Sequence, residues 1–207
     1  MIIEVCAESY EYAEKAEKAG ADRIELCKNL HLDGLTPDYK TAKKTIDNLN
    51  IPVYILIRPR QGDFNYSEKQ FELMKADIIK FKEMGCKGIV SGILNNDNTI
   101  DIKRTNELVE LSRPLEFTFH RAFDVVSDPL KEIENLIKIG VARILTSGQK
   151  HKAIEGLELL KEFKNISKNR IKIMPGSGIN KSNIVSFKSF EEIHGSFKNE
   201  INTNILL

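Results

Sequence analysis

Eight short apolar runs recur along this chain, and each is separated from the next by a longer stretch with helical periodicity. In those stretches apolar residues recur at spacings of three and four, most clearly at Ser67–Met84, Asp128–Ile139 and Lys152–Phe163. Strands that alternate with helices pair in parallel, because a parallel neighbour needs a crossover connection. An open doubly wound sheet is the alternative, but eight units favour an α/β fold of the closed (β/α)8 TIM type. The predicted strands are Ile2–Cys6, Arg23–Cys27, Val53–Arg58, Gly88–Leu94, Glu116–Arg121, Arg143–Ser147, Arg170–Pro175 and Glu192–Ser196.

A repeated connection supports the same fold. Gly20, Gly85 and Gly140 each open a segment of one pattern: a glycine suited to a helix end, two linker residues, and a strand. After His194 only Gly195–Leu207 remains, so we expect a compact barrel whose final helix is short or irregular. No low-complexity linker divides the chain, and we expect residues 1–207 to form a single domain.

Composition excludes several classes of function. The net charge is +1, from 31 basic and 30 acidic residues, so nothing indicates a nucleic-acid or anionic-membrane partner. No apolar run is long enough to cross a bilayer, and the amino terminus lacks the pattern of a signal peptide. The chain has 3 cysteines, without the dense framework of a small secreted protein. We therefore expect a cytoplasmic protein with reduced thiols.

The strands turn many charged side chains inward. Successive side chains of a strand point to opposite faces, and the helix-covered face takes the apolar set. A buried charge must be paired or neutralised. The inward charges therefore form either an ion network that fills the barrel or a polar pocket whose rim binds something small. They are Glu4, Arg23, Glu25, Arg58, Glu116, Lys172 and Glu192.

Two of the cysteines end neighbouring strands in the same pattern, Glu-x-Cys. Neighbouring strands lie about 4.8 Å apart, so inward thiols at Cys6 and Cys27 could share one ion near the same level. Paired soft sulfur ligands suit Cu(I), with zinc as the alternative if nitrogen or oxygen ligands complete the shell. The opposing interpretation is that both are inert buried cysteines. Cys86 falls at the opposite end of the barrel and is interpreted as structural.

Other groups at the carboxyl ends of the strands suit an anion. Paired arginines after the third strand could grip a carboxylate or phosphate, or could pair with the interior glutamates. A glycine-rich turn after the seventh strand could offer backbone N–H groups at the start of a short helix. The candidate anion-binding residues are Arg58, Arg60, Thr146, Ser147, Gly176, Ser177 and Gly178.

Histidines supply the candidates for proton transfer. His120 ends the fifth strand and Asp124 follows shortly after it, a combination that could do general acid–base work. His194 lies on the last strand, and the two histidines could instead ligate a metal. A structural role is the alternative for either of them.

Taken together, these segments resemble the CutC family, named for copper homeostasis. The resemblance implies a cytosolic barrel, usually a homodimer or higher homo-oligomer, with Cu(I) on Cys6 and Cys27. The chain departs from the family pattern at Asp33-Gly34, at Ser177 and at Phe197. The matching motifs are Glu4-Val5-Cys6, Ala21–Cys27, Gly34-Leu35-Thr36-Pro37, Ile57-Arg58-Pro59-Arg60, Gly62–Ser67, Thr118–Asp124, Arg143–Gly148 and Ile173-Met174-Pro175-Gly176.

Two functions follow from this sequence. The first is a Cu(I)-binding protein of copper homeostasis. The second is a barrel enzyme of unknown reaction acting on a small anionic metabolite, because the predicted mouth carries more polar groups than two thiolates need. In this second hypothesis Arg58, Arg60 and the turn at Gly176–Gly178 converge on one pocket, and His120 with Asp124 moves a proton.

Overall fold

Eight parallel strands form the centre of the computed structural model, which describes residues 1–202. The strands pair in the order β7-β6-β5-β4-β3-β2-β1-β8. A parallel bridge between Gly176 and His194 joins the two outer members, so the sheet is a nearly closed barrel. The prediction of a (β/α)8 TIM-type barrel is confirmed. The strands are β1 (Ile2–Ala7), β2 (Arg23–Leu26), β3 (Val53–Leu56), β4 (Gly88–Ser91), β5 (Glu116–Phe119), β6 (Arg143–Thr146), β7 (Lys172–Pro175) and β8 (Glu192–Gly195).

Helices alternate with these strands and cover the barrel. The best-predicted helix, α3, begins after Ser67, whose hydroxyl accepts from the Gln70 amide while the Gln70 side chain accepts from the Ser67 amide. Short 3₁₀ turns lie at Leu30–Leu32, Arg121–Val125 and Ile184–Phe187. The helices are α1 (Tyr10–Lys18), α2 (Tyr39–Asn48), α3 (Glu68–Glu83), α4 (Ile102–Ser112), α5 (Pro129–Lys138), α6 (Leu157–Ser167) and α7 (Lys198–Asn202).

One predicted helix starts too early. The pattern predicted a helix from Lys152, but α6 begins at Leu157. The amide of Ala153 donates to the Ser177 carbonyl at 3.0 Å, which holds this segment against the loop after β7. A Cβ at Gly156 would overlap the carbonyl oxygen of Ser147. Contacts with the loops after β6 and β7 therefore keep these residues out of the helix.

Side chains sort by face as the alternation predicts. Outward residues such as Ile3, Val5 and Ile24 are buried in the apolar core between barrel and helices. None of the helices within residues 1–202 is both long and apolar enough to span a membrane. The short final helix is present as α7, and the rest of that predicted segment, residues 203–207, lies outside the described residues.

Candidate functional site

Charged side chains fill the lower half of the barrel, and they are paired. Glu192 is the hub: one of its oxygens lies 2.5 Å from Arg23 Nη2 and 2.8 Å from Arg143 Nε, and the other lies 3.0 Å from Lys172 Nζ. Burial raises the pKa of Glu192, but the charges of Arg143 and Arg23 outweigh it and hold that pKa below its ordinary value. This carboxylate is therefore ionised, and both of its oxygens form ion pairs.

The same network extends to both sides of Glu192. Arg143 also reaches Glu116 at 2.6 Å, and the Tyr54 hydroxyl donates to the same carboxylate. On the other side Arg23 binds Glu4. Three carboxylates thus meet three cations, as a structural ion network requires. We call this set, Glu4, Arg23, Glu116, Arg143, Lys172 and Glu192, the ion network.

Above the network, a smaller group joins three strands, β1, β2 and β8, at the mouth. His194 Nδ1 lies 2.7 Å from Glu4 and 3.9 Å from Glu25 Oε2. Arg23 and His194 overcome the effect of burial on Glu4 and lower its pKa to about 2. The ionised Glu4 can only accept, so the Nδ1–H of His194 donates to it. Cys6 follows Glu4 by two residues on β1 and borders the same cavity as His194.

Glu25 and His194 have shifted pKa values in this group. Burial raises the pKa of Glu25 to about 7, and its Oε2 has no hydrogen-bond partner within residues 1–202. Burial disfavours the charged form of His194, but Glu25, Cys6 and Glu4 outweigh that effect and raise its pKa well above the ordinary value. Near neutral pH the cluster can therefore exchange a proton.

Ligand atoms of Glu4, Glu25 and His194 all lie within 4.8 Å of one another, the one such grouping of potential ligands in residues 1–202. Carboxylate oxygens and an imidazole suit a divalent ion such as zinc. Glu4, however, already balances the guanidinium of Arg23. The chemistry of the donors is that of a proton-sharing cluster beside a thiol.

The two predicted copper ligands do not share one level. Cys6 lies opposite Glu25 in the register of β1 and β2, so Cys27 lies two residues farther toward the mouth, roughly 6.6 Å along the strand. Cys6 borders a cavity, whereas Cys27 is fully buried beside Tyr54 and Leu56. Burial raises the pKa of Cys27 far above the ordinary value. The expected level pairing is wrong because the strands of the barrel are staggered.

A cavity of about 400 Å³ opens at the carboxyl ends of the strands. We call it the mouth cavity, and its lining includes Cys6, Glu25, Arg58, His120, Ser177 and His194. Barrel enzymes place their sites at this end. The volume suits a small molecule.

The two candidate arginines have different positions. Arg58 is 4% exposed and lines the mouth cavity, and its guanidinium donates to the carbonyls of Leu32, Gly34 and Gly62 at 2.9, 3.0 and 3.1 Å. Arg60 binds Asp63 at 2.6 Å and lines a separate hollow. The two guanidinium groups do not converge on one pocket.

The turn after β7 lies partly at the mouth cavity. Ser177 and Gly178 line it with positive φ angles of 87° and 70°. The Gly176 amide instead donates to the Thr146 carbonyl at 3.0 Å. The expected helix does not directly follow the turn, since the next helical segment begins at Ile184. Only the loop amides can bind an anion here.

His120 and Asp124 both line the mouth cavity, but other groups hold Asp124 in place. Asp124 accepts from the hydroxyls of Thr146 at 2.5 Å and Ser147 at 2.9 Å, and from Arg121 Nε at 2.8 Å. Its oxygens are therefore engaged in holding the loops after β5 and β6 together. Thr146 and Ser147 accordingly turn their hydroxyls to Asp124 and away from any ligand.

His120 is a neutral hydrogen-bond donor. Its Nδ1 accepts from the Ala122 amide at 3.3 Å, so the ring proton is on Nε2, which has no partner within residues 1–202. Burial and the charge of Arg58 lower its pKa to about 3. A base with so low a pKa binds few protons at pH 7, so donation suits it better than general base catalysis.

Sequence reasoning missed two arginines. Arg143 is completely buried at the centre of the ion network, although its inner position follows from the alternation along β6. Arg121 borders the mouth cavity and pairs with Asp124, and its position directly after His120 was the available signal.

An eight-stranded parallel barrel with a polar cavity at its carboxyl mouth defines a TIM-type barrel protein. A model of the CutC family matches residues 1–199. The chain belongs to the CutC family.

Named relatives agree with this assignment. A CutC protein of Pasteurella multocida is 44% identical over 201 residues, 96% of this chain and 82% of that protein. A copper homeostasis protein cutC homolog of Homo sapiens is 46% identical over 183 residues, 88% of this chain and 67% of that protein.

Solved structures include a protein of the same family and a barrel that shares the fold alone. The crystal structure of a CutC protein from Streptococcus agalactiae has a TM-score of 0.90 and 33% identity, covering 95% of this chain and 98% of that one. An aldolase with a TM-score of 0.73 covers 100% of this chain and 92% of its own length. At 15% identity it shows the shared fold alone.

Proposed function

We propose that this chain takes part in copper homeostasis in the cytoplasm and binds Cu(I) through Cys6 and Cys27. The observation that carries this proposal is two free thiols on neighbouring strands at the mouth, one of them bordering the cavity. Thiolates select Cu(I) over harder ions. The names of the human and mouse relatives, both copper homeostasis protein cutC homologs, support the same function.

The two thiols have unequal parts in this proposal. Cys6 borders the mouth cavity, through which a metal ion can reach its thiol. Cys27 is buried, so its side chain must turn toward Cys6 to bind the metal. Its raised pKa keeps the thiol protonated until then. Cys6 is thus the entry ligand and Cys27 completes the shell.

A competition titration tests this order. Cu(I) affinity is measured against a chelator under reducing conditions for wild type, Cys6→Ser, Cys27→Ser and the double variant. We expect the double variant to lose binding, Cys6→Ser to lose more affinity than Cys27→Ser, and Cys86→Ser, the matched control, to bind as wild type. Wild-type affinity in the double variant would reject these ligands.

A second candidate function is an enzyme that acts on a small anionic metabolite. The observation in its favour is that three of the five buried side-chain polar atoms without a partner, in residues 1–202, belong to residues lining the mouth cavity: Glu25 Oε2, Arg58 Nε and His120 Nε2. Buried polar groups are almost always hydrogen-bonded, so such a concentration indicates a ligand. A thermal-shift screen of small phosphates and carboxylates tests this candidate, since a ligand of the folded state raises the melting temperature.

A further inference from the structure

Arg58 has a buried charge without a counter-ion. Its guanidinium donates to three backbone carbonyls, and within residues 1–202 no carboxylate lies within the 4.0 Å that defines an ion pair. Asp124 and Asp33 also line the cavity, but neither is a counter-ion for Arg58. Asp124 is paired with Arg121, and Asp33 is exposed. Buried charges in proteins are paired, so an anion is the missing partner.

His120 lies close to this charge. The Phe64 ring centroid is 5.1 Å from Arg58 Cζ and 5.0 Å from the His120 ring centroid, so one aromatic ring contacts both. All three side chains line the mouth cavity. His120 is 5% exposed, and its Nε2–H has no acceptor in the described part of the chain, residues 1–202. A cation and an unused N–H thus border the same space.

We propose that Arg58 and His120 form an oxyanion-binding subsite in the mouth cavity for the carboxylate or phosphate of a small metabolite. Arg58 supplies the charge and His120 Nε2 a directed hydrogen bond, and a neutral histidine serves this role without needing a proton from solvent. The turn at Ser177 and Gly178 lines the same cavity and places the Gly178 amide beside it as a further donor. This subsite rests on the second candidate function and names its substrate class.

The test is calorimetric titration at fixed ionic strength with inorganic phosphate, glycerol 3-phosphate and malonate as probes. His120→Phe keeps a ring against Phe64 but removes the donor, and His120→Gln restores one. Arg58→Met removes the charge, and Arg58→Lys keeps it. Arg60→Met is the matched control, because Arg60 lies on the same loop, is paired with Asp63 and lines a different hollow.

We expect wild type and Arg60→Met to bind at least one probe equally, and the Phe and Met variants to bind it at least tenfold more weakly. The stronger class of probe, phosphate or carboxylate, identifies the group recognised. His120→Gln should recover part of the loss. If Arg58→Met fails to fold, the comparison of His120→Phe with His120→Gln decides the proposal by itself.

Two results would overturn the subsite, and they differ. Equal affinity in wild type, His120→Phe and any folded Arg58 variant rejects these residues but leaves the second candidate function standing. No binding of any probe by wild type rejects the subsite and the second candidate together. Cu(I) affinity, measured on the same variants, should stay unchanged in either case.

Discussion

The ion network and the mouth cavity are built from the same kinds of residue on the same strands, yet they differ in how they are satisfied. In the network Glu192 binds Arg23, Arg143 and Lys172. At the mouth, Glu25 and His120 each keep a buried atom that has no partner among residues 1–202. The charged groups in the lower half of the barrel thus have partners, whereas some polar groups in the upper half have none within residues 1–202.

This difference separates stability from function. A buried ion pair that is complete needs nothing further from its surroundings, whereas a buried polar group without a partner is costly. The network therefore belongs to the fold. The mouth keeps its unsatisfied groups where a cavity lets a ligand reach them, which is the usual position of function in such barrels.

The largest expected effect comes from breaking the network. Arg143→Met leaves Glu192 and Glu116 short of a partner, and removing one member of a buried pair costs about 3–5 kcal/mol. Urea unfolding measures this loss. Arg170→Met is the control: its pair with Glu134 is about 40% exposed, so its loss should leave the stability almost unchanged. Equal losses in the two variants would contradict a structural role for the network.

A smaller loss is expected at the rim of the mouth. Asp124→Asn weakens the bonds to Arg121, Thr146 and Ser147, and should cost about 1–3 kcal/mol in urea unfolding. Asp47→Asn, which removes only an exposed contact with Lys43, should cost almost nothing. Unchanged stability in Asp124→Asn would reopen its assignment to proton transfer.

A third effect is a pH dependence of stability that begins at the mouth. The pKa of Glu25 rises from 4.5 to about 7 on folding, so the folded chain holds this proton more tightly than the unfolded chain. That contribution is complete below pH 4.5 and is lost as pH rises through 7. His194, whose pKa is also raised, acts in the same direction. Stability should therefore fall as pH rises.

Urea unfolding from about pH 5 to about pH 8 measures this slope. Glu25→Gln should flatten it, because the variant lacks one titrating group and leaves His194 with fewer acidic neighbours. Glu158→Gln, at a carboxylate 87% exposed, should keep the wild-type slope. Parallel slopes in wild type and Glu25→Gln would mean that Glu25 does not bind its proton in the folded state.

Local pattern was sufficient for some parts of this structure. The apolar spacing located α3 to within one residue at each end. Alternation along β1 placed Glu4 and Cys6 inside the barrel, as the structure has them. The helical spacing failed for the start of α6, because contacts with distant loops at Ser177 and Ser147 displace the beginning of that helix.

The sequence by itself determined that this chain forms a barrel of parallel strands with charges inside and thiols at the mouth, since these follow from periods of two and of three to four along the chain. Only the tertiary structure decided which groups meet. The stagger of β1 against β2 separates Cys6 from Cys27, and the path of the loops turns Arg60 to Asp63 while leaving Arg58 at the cavity. Register and loop path depend on packing between distant segments, and no local pattern encodes them.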